Sequence, residues 1–188
     1  MKQEIIQKIK QQIEAGIYPG ASFAYYQDGA WSDWYLGEAN PEIGELTRKG
    51  LVYDLASVSK VVGVGTVLIF LWKEGKIELD NSIRDYLPEV AYPDITLRQL
   101  LTHGTDLDPF IPNRDQLSAD QLRKAMFHLN RRVKRDFLYS DVHFILLGFL
   151  LENYFKKDLD QILQEQVLDP WKMKETQFGP VSSAVPTV

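Results

Sequence analysis

A single hairpin constrains this chain more than any other stretch. Residues 21–37 read ASFAYYQDGAWSDWYLG, with two aromatic-rich runs flanking Asp28-Gly29. That dipeptide favours a two-residue turn, because both positions take positive φ, so an antiparallel pair of strands is expected around it. Before the hairpin, Ile5, Ile6, Ile9 and Ile13 recur at helical spacing, and Gly16 stands where a helix would be capped. After it, residues 38–50 hold Pro, Gly and charges without periodicity and read as a surface connection. Tyr25, Tyr26, Trp31, Trp34 and Tyr35 are expected to pack against helices rather than line a ligand groove.

The remainder is mostly helical. A buried helix is expected from Ser57 to about Lys73, stopped by Gly75. Thr96 with Gln99, and Ser118 with Gln121, fit the capping box, in which each side chain satisfies the other residue's backbone donor. They predict helices over Leu97–His103 and from Ala119 to about Leu129. Two further helices are expected over Val142–Lys156 and Leu159–Leu168, the latter ending before Asp169-Pro170. A two-stranded hairpin is marginal by itself. Helix, hairpin and then helices therefore read as a piece of an α+β fold whose remaining strands lie outside these residues. The expected division is 1–52 for the helix and hairpin, 53–178 for the mostly helical part, and 179–188 for the start of a further segment.

Composition excludes several chemistries. The sequence has no cysteine, so disulfides, thiolate nucleophiles and Cys-ligated zinc are ruled out. A net charge of -5 argues against a general affinity for nucleic acid. The densest basic cluster, RRVKR at Arg131–Arg135, meets Asp136 and reads as a solvated turn. The N-terminal stretch is amphipathic and lacks the apolar region of a signal peptide. Val61–Trp72 and Val142–Leu151 are well short of the roughly 20 residues a membrane span requires. The expectation is a cytoplasmic protein without cofactor or metal.

The stretch DLASVSK, residues 54–60, carries the first chemical signal. Lys60 lies one turn after Ser57 on the same helical face. A partly buried lysine loses hydration, which lowers its pKa toward that of a useful general base. It would then take the Ser57 proton as the hydroxyl attacks a carbonyl, with helix N-terminal N–H groups near the developing oxyanion. Ser-x-x-Lys is short enough to arise by chance, and taken alone it reads sooner as a helix cap with a snorkelling lysine. The second signal is Tyr139-Ser140-Asp141 before an apolar helix. There a phenol can relay a proton to a leaving group. Asp141 can contact a substrate amide, hold Lys60, or simply cap the helix.

Five ordered blocks, DLASVSK, GKIELDNSIRDYLPE, ITLRQLLTHGTDL, YSDVHFILLGFLLE and VLDPWKMKETQF, resemble the serine hydrolases related to class C β-lactamases. That family includes penicillin-binding proteins, D-amino-acid peptidases and esterases. GIYPGASFAYYQDG resembles its opening hairpin, so the likeness runs from about Gly16 to Phe178. The resemblance implies a β-lactamase/transpeptidase-like fold, with Ser57 as nucleophile, Lys60 as base, Tyr139 as proton relay and Asp141 at the substrate. The substrate implied is a small molecule or peptide with an amide, ester or β-lactam carbonyl.

Three departures stand out. Many members have Asn where this chain has Asp141, and a carboxylate cannot donate to a substrate carbonyl. LLTHGTDL stands where relatives read LLTHTSGL, a structural turn, so His103 is expected to pack or cap rather than act as a base. The family's third motif, Lys-Thr-Gly or His-x-Gly on a later strand, would lie beyond residue 188. The resemblance thus implies a truncated chain, catalytically incomplete by itself, with an unpaired hairpin edge open to strand swapping or pairing between copies.

Other readings are weaker. No G-x-S-x-G elbow exists to serve a Ser-His-Asp triad, and His128 and His143 read as core or boundary histidines. No two histidines have ligand spacing, and Gly63-Val64-Gly65 suits close helix packing better than a dinucleotide. The alternative to an enzyme is a non-catalytic fragment or relative that keeps the fold for binding or assembly.

Overall fold

A computed structural model of the chain describes residues 2–186, which divide into two compact units: 2–55 with 179–186, and 56–178. In the first unit, helix α1 (Lys2–Glu14) packs on strands β1 (Gly20–Gln27) and β2 (Ala30–Asn40). The strands pair antiparallel from Gly20↔Gly37 to Gln27↔Ala30. Asp28 and Gly29 take φ of 53° and 81°, the double positive φ of the turn the sequence predicts.

The connection expected over residues 38–50 is corrected. Past an irregularity between Glu38 and Asn40, Glu45–Leu46 returns as a third strand, β3, giving the order β1-β2-β3. Two residues are too few to show an alternating pattern, so nothing in the sequence marked it. The expectation that the hairpin aromatics pack on helices holds only in part. Lys2 Nζ lies 4.5 Å from the Trp34 ring centroid, yet Tyr26 and Trp31 are exposed and pack on each other.

The second unit begins with a wide π-helical stretch, Lys60–Gly65, running straight into α2 (Thr66–Lys73). The expected single α-helix is therefore wider at its start, a distortion frequent at functional sites. Thr66 donates both its backbone N–H and its hydroxyl to Val61 O. A Cβ on Gly63 would stand 2.9 Å from Leu163 Cδ1, so the absence of a side chain there allows close packing.

Both capping boxes form, at Thr96 for α3 (Leu97–Leu101) and at Ser118 for α4 (Ala119–Met126). Each helix ends two or three residues before its expected limit, as helix ends commonly do. Replacing Thr96 with Ala should lower stability by about 1 kcal/mol, because Gln99 N loses its acceptor. Thermal melting checks this, and an unchanged midpoint would deny the box any stabilising part.

The central element is α5 (Asp141–Phe155), which buries residues around much of its circumference, among them Leu146, Leu147, Leu150 and Leu151. It packs against α3, the π stretch and α6 (Leu159–Leu163), which continues as a second π stretch, Gln164–Leu168. Tyr92, also buried, gives its hydroxyl proton to Met126 O and accepts from Leu129 N. Burial pushes its pKa up to about 12.

RRVKR is not merely a solvated turn. Arg131 binds Asp94 and Asp106, Arg135 joins both, and Arg132 pairs with Asp136 and donates to Thr105 O. The two arginines hold the Asp94 carboxyl down at about 2. Among the described residues, no helix is long and apolar enough to cross a membrane.

Candidate active site

Ala56, Ser57, Lys60, Tyr139 and Asp141 all belong to the second unit, so their geometry is internal to one compact body. Ala56 takes φ of 44°, a left-handed conformation that costs a residue with a Cβ roughly 1–2 kcal/mol. That kink delivers Ser57 to the mouth of the helix. One turn on, Lys60 reaches back, and its Nζ lies 2.8 Å from Ser57 Oγ.

The other two groups come from the chain entering α5. Ser140 is extended there (φ -152°, ψ 138°) and caps the helix, accepting from Val142 N. Side chains alternate along extended backbone. Ser140 thus turns into the protein and is buried, while Tyr139 and Asp141 stay exposed. Asp141 Oδ1 sits 2.7 Å from Lys60 Nζ, which lies over the Tyr139 ring, 5.2 Å from its centroid. An ammonium has three donors. Here Ser57 and Asp141 each take one, and the ammonium lies over the Tyr139 ring. Of the three parts open to Asp141, the structure shows it holding Lys60, while the capping belongs to Ser140.

The electrostatics correct one expectation. The Lys60 side chain is only 15% exposed, yet its pKa is raised, not lowered. The hydrogen bond to the Asp141 carboxylate outweighs the desolvation that would discharge the amine. Tyr139 moves the other way, because hydrogen bonds to Ser57 and then Lys60 favour the phenolate and lower its pKa. The site at rest thus pairs a firmly charged ammonium with a phenol of increased acidity.

The histidines lie outside the Ser57–Lys60–Asp141 contacts. His128 is exposed, with its Nδ1 3.0 Å from Lys124 O. His103 and His143 are buried with their Nδ1 atoms 2.8 Å apart, and His143 Nε2 lies 2.7 Å from Thr105 Oγ1. Burial drives the His143 pKa from 6.5 down to about 4. A histidine folded in its neutral form takes up a proton more readily once unfolded. Its stabilising contribution is present above pH 6.5 and is lost as pH falls toward 4. The loss should approach about 3 kcal/mol. Urea midpoints at pH 7 and pH 4.5 test this, and His143→Gln should lose less on acidification than the parent. Among the described residues, no group of three or more His, Asp and Glu side chains is placed to hold a metal ion.

A profile of the Beta-lactamase family matches residues 5–188. The chain belongs to the beta-lactamase family. Among curated relatives of this family member, an Escherichia coli K12 protein named "Putative D-alanyl-D-alanine carboxypeptidase" is 29% identical over 200 residues, covering 92% of this chain and 46% of its own length. The family member thus spans about half the length of the curated relatives it matches. A class C beta-lactamase solved in complex with cefoxitin superposes with a TM-score of 0.80 at 19% identity, over 96% of this chain and 52% of that one. The D-amino acid amidase of Ochrobactrum anthropi SV3, complexed with D-phenylalanine, gives 0.76 at 20%, over 97% and 55%. At these identities the two structures establish the fold, and the fold is the beta-lactamase-like, partial α+β architecture expected from the sequence.

Proposed function

We propose that this chain carries the acylating cluster of a serine hydrolase. One observation carries the reading: a largely covered ammonium, Lys60, lies 2.8 Å from the hydroxyl of Ser57 and 2.7 Å from the carboxylate of Asp141, with the Tyr139 ring centroid 5.2 Å away. A scaffold kept for binding or assembly has no use for such a convergence. Family membership, a relative named for carboxypeptidase activity and an amidase of the same fold support hydrolysis as the general chemistry.

In this reading Ser57 Oγ attacks the carbonyl carbon of an amide, ester or β-lactam, and its proton passes to the Lys60–Tyr139 pair. Because Asp141 favours the charged form of Lys60, the acceptor in this reading is the Tyr139 phenolate, whose formation hydrogen bonds from Ser57 and Lys60 favour. Lys60 supplies the positive potential that sustains it, and acts as base where Asp141 releases its hold. The donor this reading places at the developing oxyanion is the backbone N–H of Ser57 itself. Tyr139 returns the proton to the departing amine or alcohol, and water then hydrolyses the acyl-enzyme. Asp141 offers no donor to a substrate carbonyl, which weakens recognition of the classical β-lactam type.

The test is covalent. After incubation of the whole protein with a fluorophosphonate or penicillin probe, peptide mapping should place the adduct on Ser57. An unlabelled protein, or an adduct on another residue, would overturn the assignment.

A further inference from the structure

Helix α3 closes with Gly104 N bonded to Gln99 O at 2.8 Å and His103 N to Leu100 O at 3.2 Å. This is the Schellman pattern, whose left-handed residue is usually glycine. Here that residue is His103, at φ 55°. A side chain there costs the backbone about 1–2 kcal/mol, so the imidazole must contribute elsewhere. Its surroundings show where. Leu138 N donates to His103 O at 3.0 Å, Ser140 N donates to His103 Nδ1 at 3.4 Å, and the ring centroid lies 4.7 Å from that of Tyr139. Both neighbours of Tyr139, and its ring, are held by one residue.

The hydrogen bonds also order the protons. Since Ser140 N–H donates to His103 Nδ1, that nitrogen is an acceptor, and His143 Nδ1 at 2.8 Å must be the donor. His143 Nε2 is then an acceptor for the Thr105 hydroxyl, whose oxygen accepts from Leu107 N at 3.2 Å. The series is consistent only with His103 neutral and protonated on Nε2.

We propose that His103 is a positioning residue for Tyr139, fixing the phenol against Ser57 and Lys60 through an Nδ1 that must stay unprotonated. This rests on the reading of Tyr139 as the proton relay. The charged and titratable groups facing the imidazole agree with a neutral ring. Burial disfavours its cation first and Lys60 second, with Asp141 pulling weakly the other way. His143 is itself held neutral by burial, with Arg132 adding to the effect. A proton on Nδ1 would break the bond from Ser140 and oppose the His143 N–H, releasing the segment that carries the phenol.

The test compares His103→Gly with His103→Asn, both tolerant of left-handed backbone. Asn keeps an oxygen that can accept from Ser140 N. Tyr139 is titrated by tyrosinate absorbance, as the difference between each protein and its Tyr139→Phe counterpart. Loss of the ring should raise the Tyr139 pKa by about one unit, as its bonds to Ser57 and Lys60 loosen, and Asn should recover part of the shift. Ser57 acylation should slow by roughly 30-fold in the Gly variant.

A folded Gly variant with an unmoved Tyr139 titration would overturn the proposal, even if its Ser57 is still acylated. A moved titration in a protein whose Ser57 is never labelled would instead uphold the positioning and sink the hydrolase reading. A second measurement needs no variant. Imidazole 15N NMR of the parent should show His103 protonated on Nε2 at neutral pH, and a proton on Nδ1 would overturn the inference whatever the variants do.

Discussion

Ser57→Ala should abolish covalent labelling by a fluorophosphonate or penicillin probe, a drop of at least roughly 1000-fold in acylation rate. The size follows from what remains when the hydroxyl is gone. Ser59, two residues on, gives its hydroxyl proton to Ala56 O. Ser140 is buried and spends its oxygen as the cap of α5. Neither has the ammonium contact that Ser57 has with Lys60 at 2.8 Å, so neither can take over. The variant should fold normally, because Ser57 is exposed and its side chain is not the helix cap. Labelling that survives undiminished would move the nucleophile elsewhere and remove the basis of the proposed mechanism.

Lys60→Met is expected to have the second largest effect, again roughly 1000-fold or more on acylation, with little change in thermal midpoint. Methionine keeps much of the aliphatic stem and loses the charge. Without the ammonium, Tyr139 loses one of the two hydrogen bonds that make it acidic. The phenol pKa then returns toward its ordinary value, and the site has no ready base. Stability should be nearly kept. Asp141 is 70% exposed at its side chain and is rehydrated once unpaired, so removing the covered ammonium leaves no buried charge behind. Acylation rates by stopped-flow, together with melting curves, separate the two effects. Near-parental acylation in a folded Lys60→Met protein would reduce the lysine to a snorkelling surface residue.

Much of this protein was legible because its local signals agree with one another. The Asp28-Gly29 turn and both capping boxes form as expected, since each is decided by a few adjacent residues and the hydrogen bonds they make. Lys60 falls beside Ser57 for the same reason: one helical turn brings residues three apart onto one face. Signals spread over two residues, such as β3, left no trace. Exposure of Tyr26 and Trp31 was also hidden, because an aromatic residue reads the same whether or not a neighbour covers it.

What the sequence by itself determined, then, was the order of elements, the turn and caps that bound them, and which residue types stand one turn apart at residues 57 and 60. Only the tertiary structure decided the charge states. Lys60 meets Asp141 at 2.7 Å across 81 residues of chain, and that contact reverses the pKa shift that burial alone would give. His103 likewise reads as a turn residue until folding brings residues 138–140 onto it. A pKa reports the sum of nearby charges, hydrogen bonds and lost water, and each of these is set by distance in space rather than by distance along the chain.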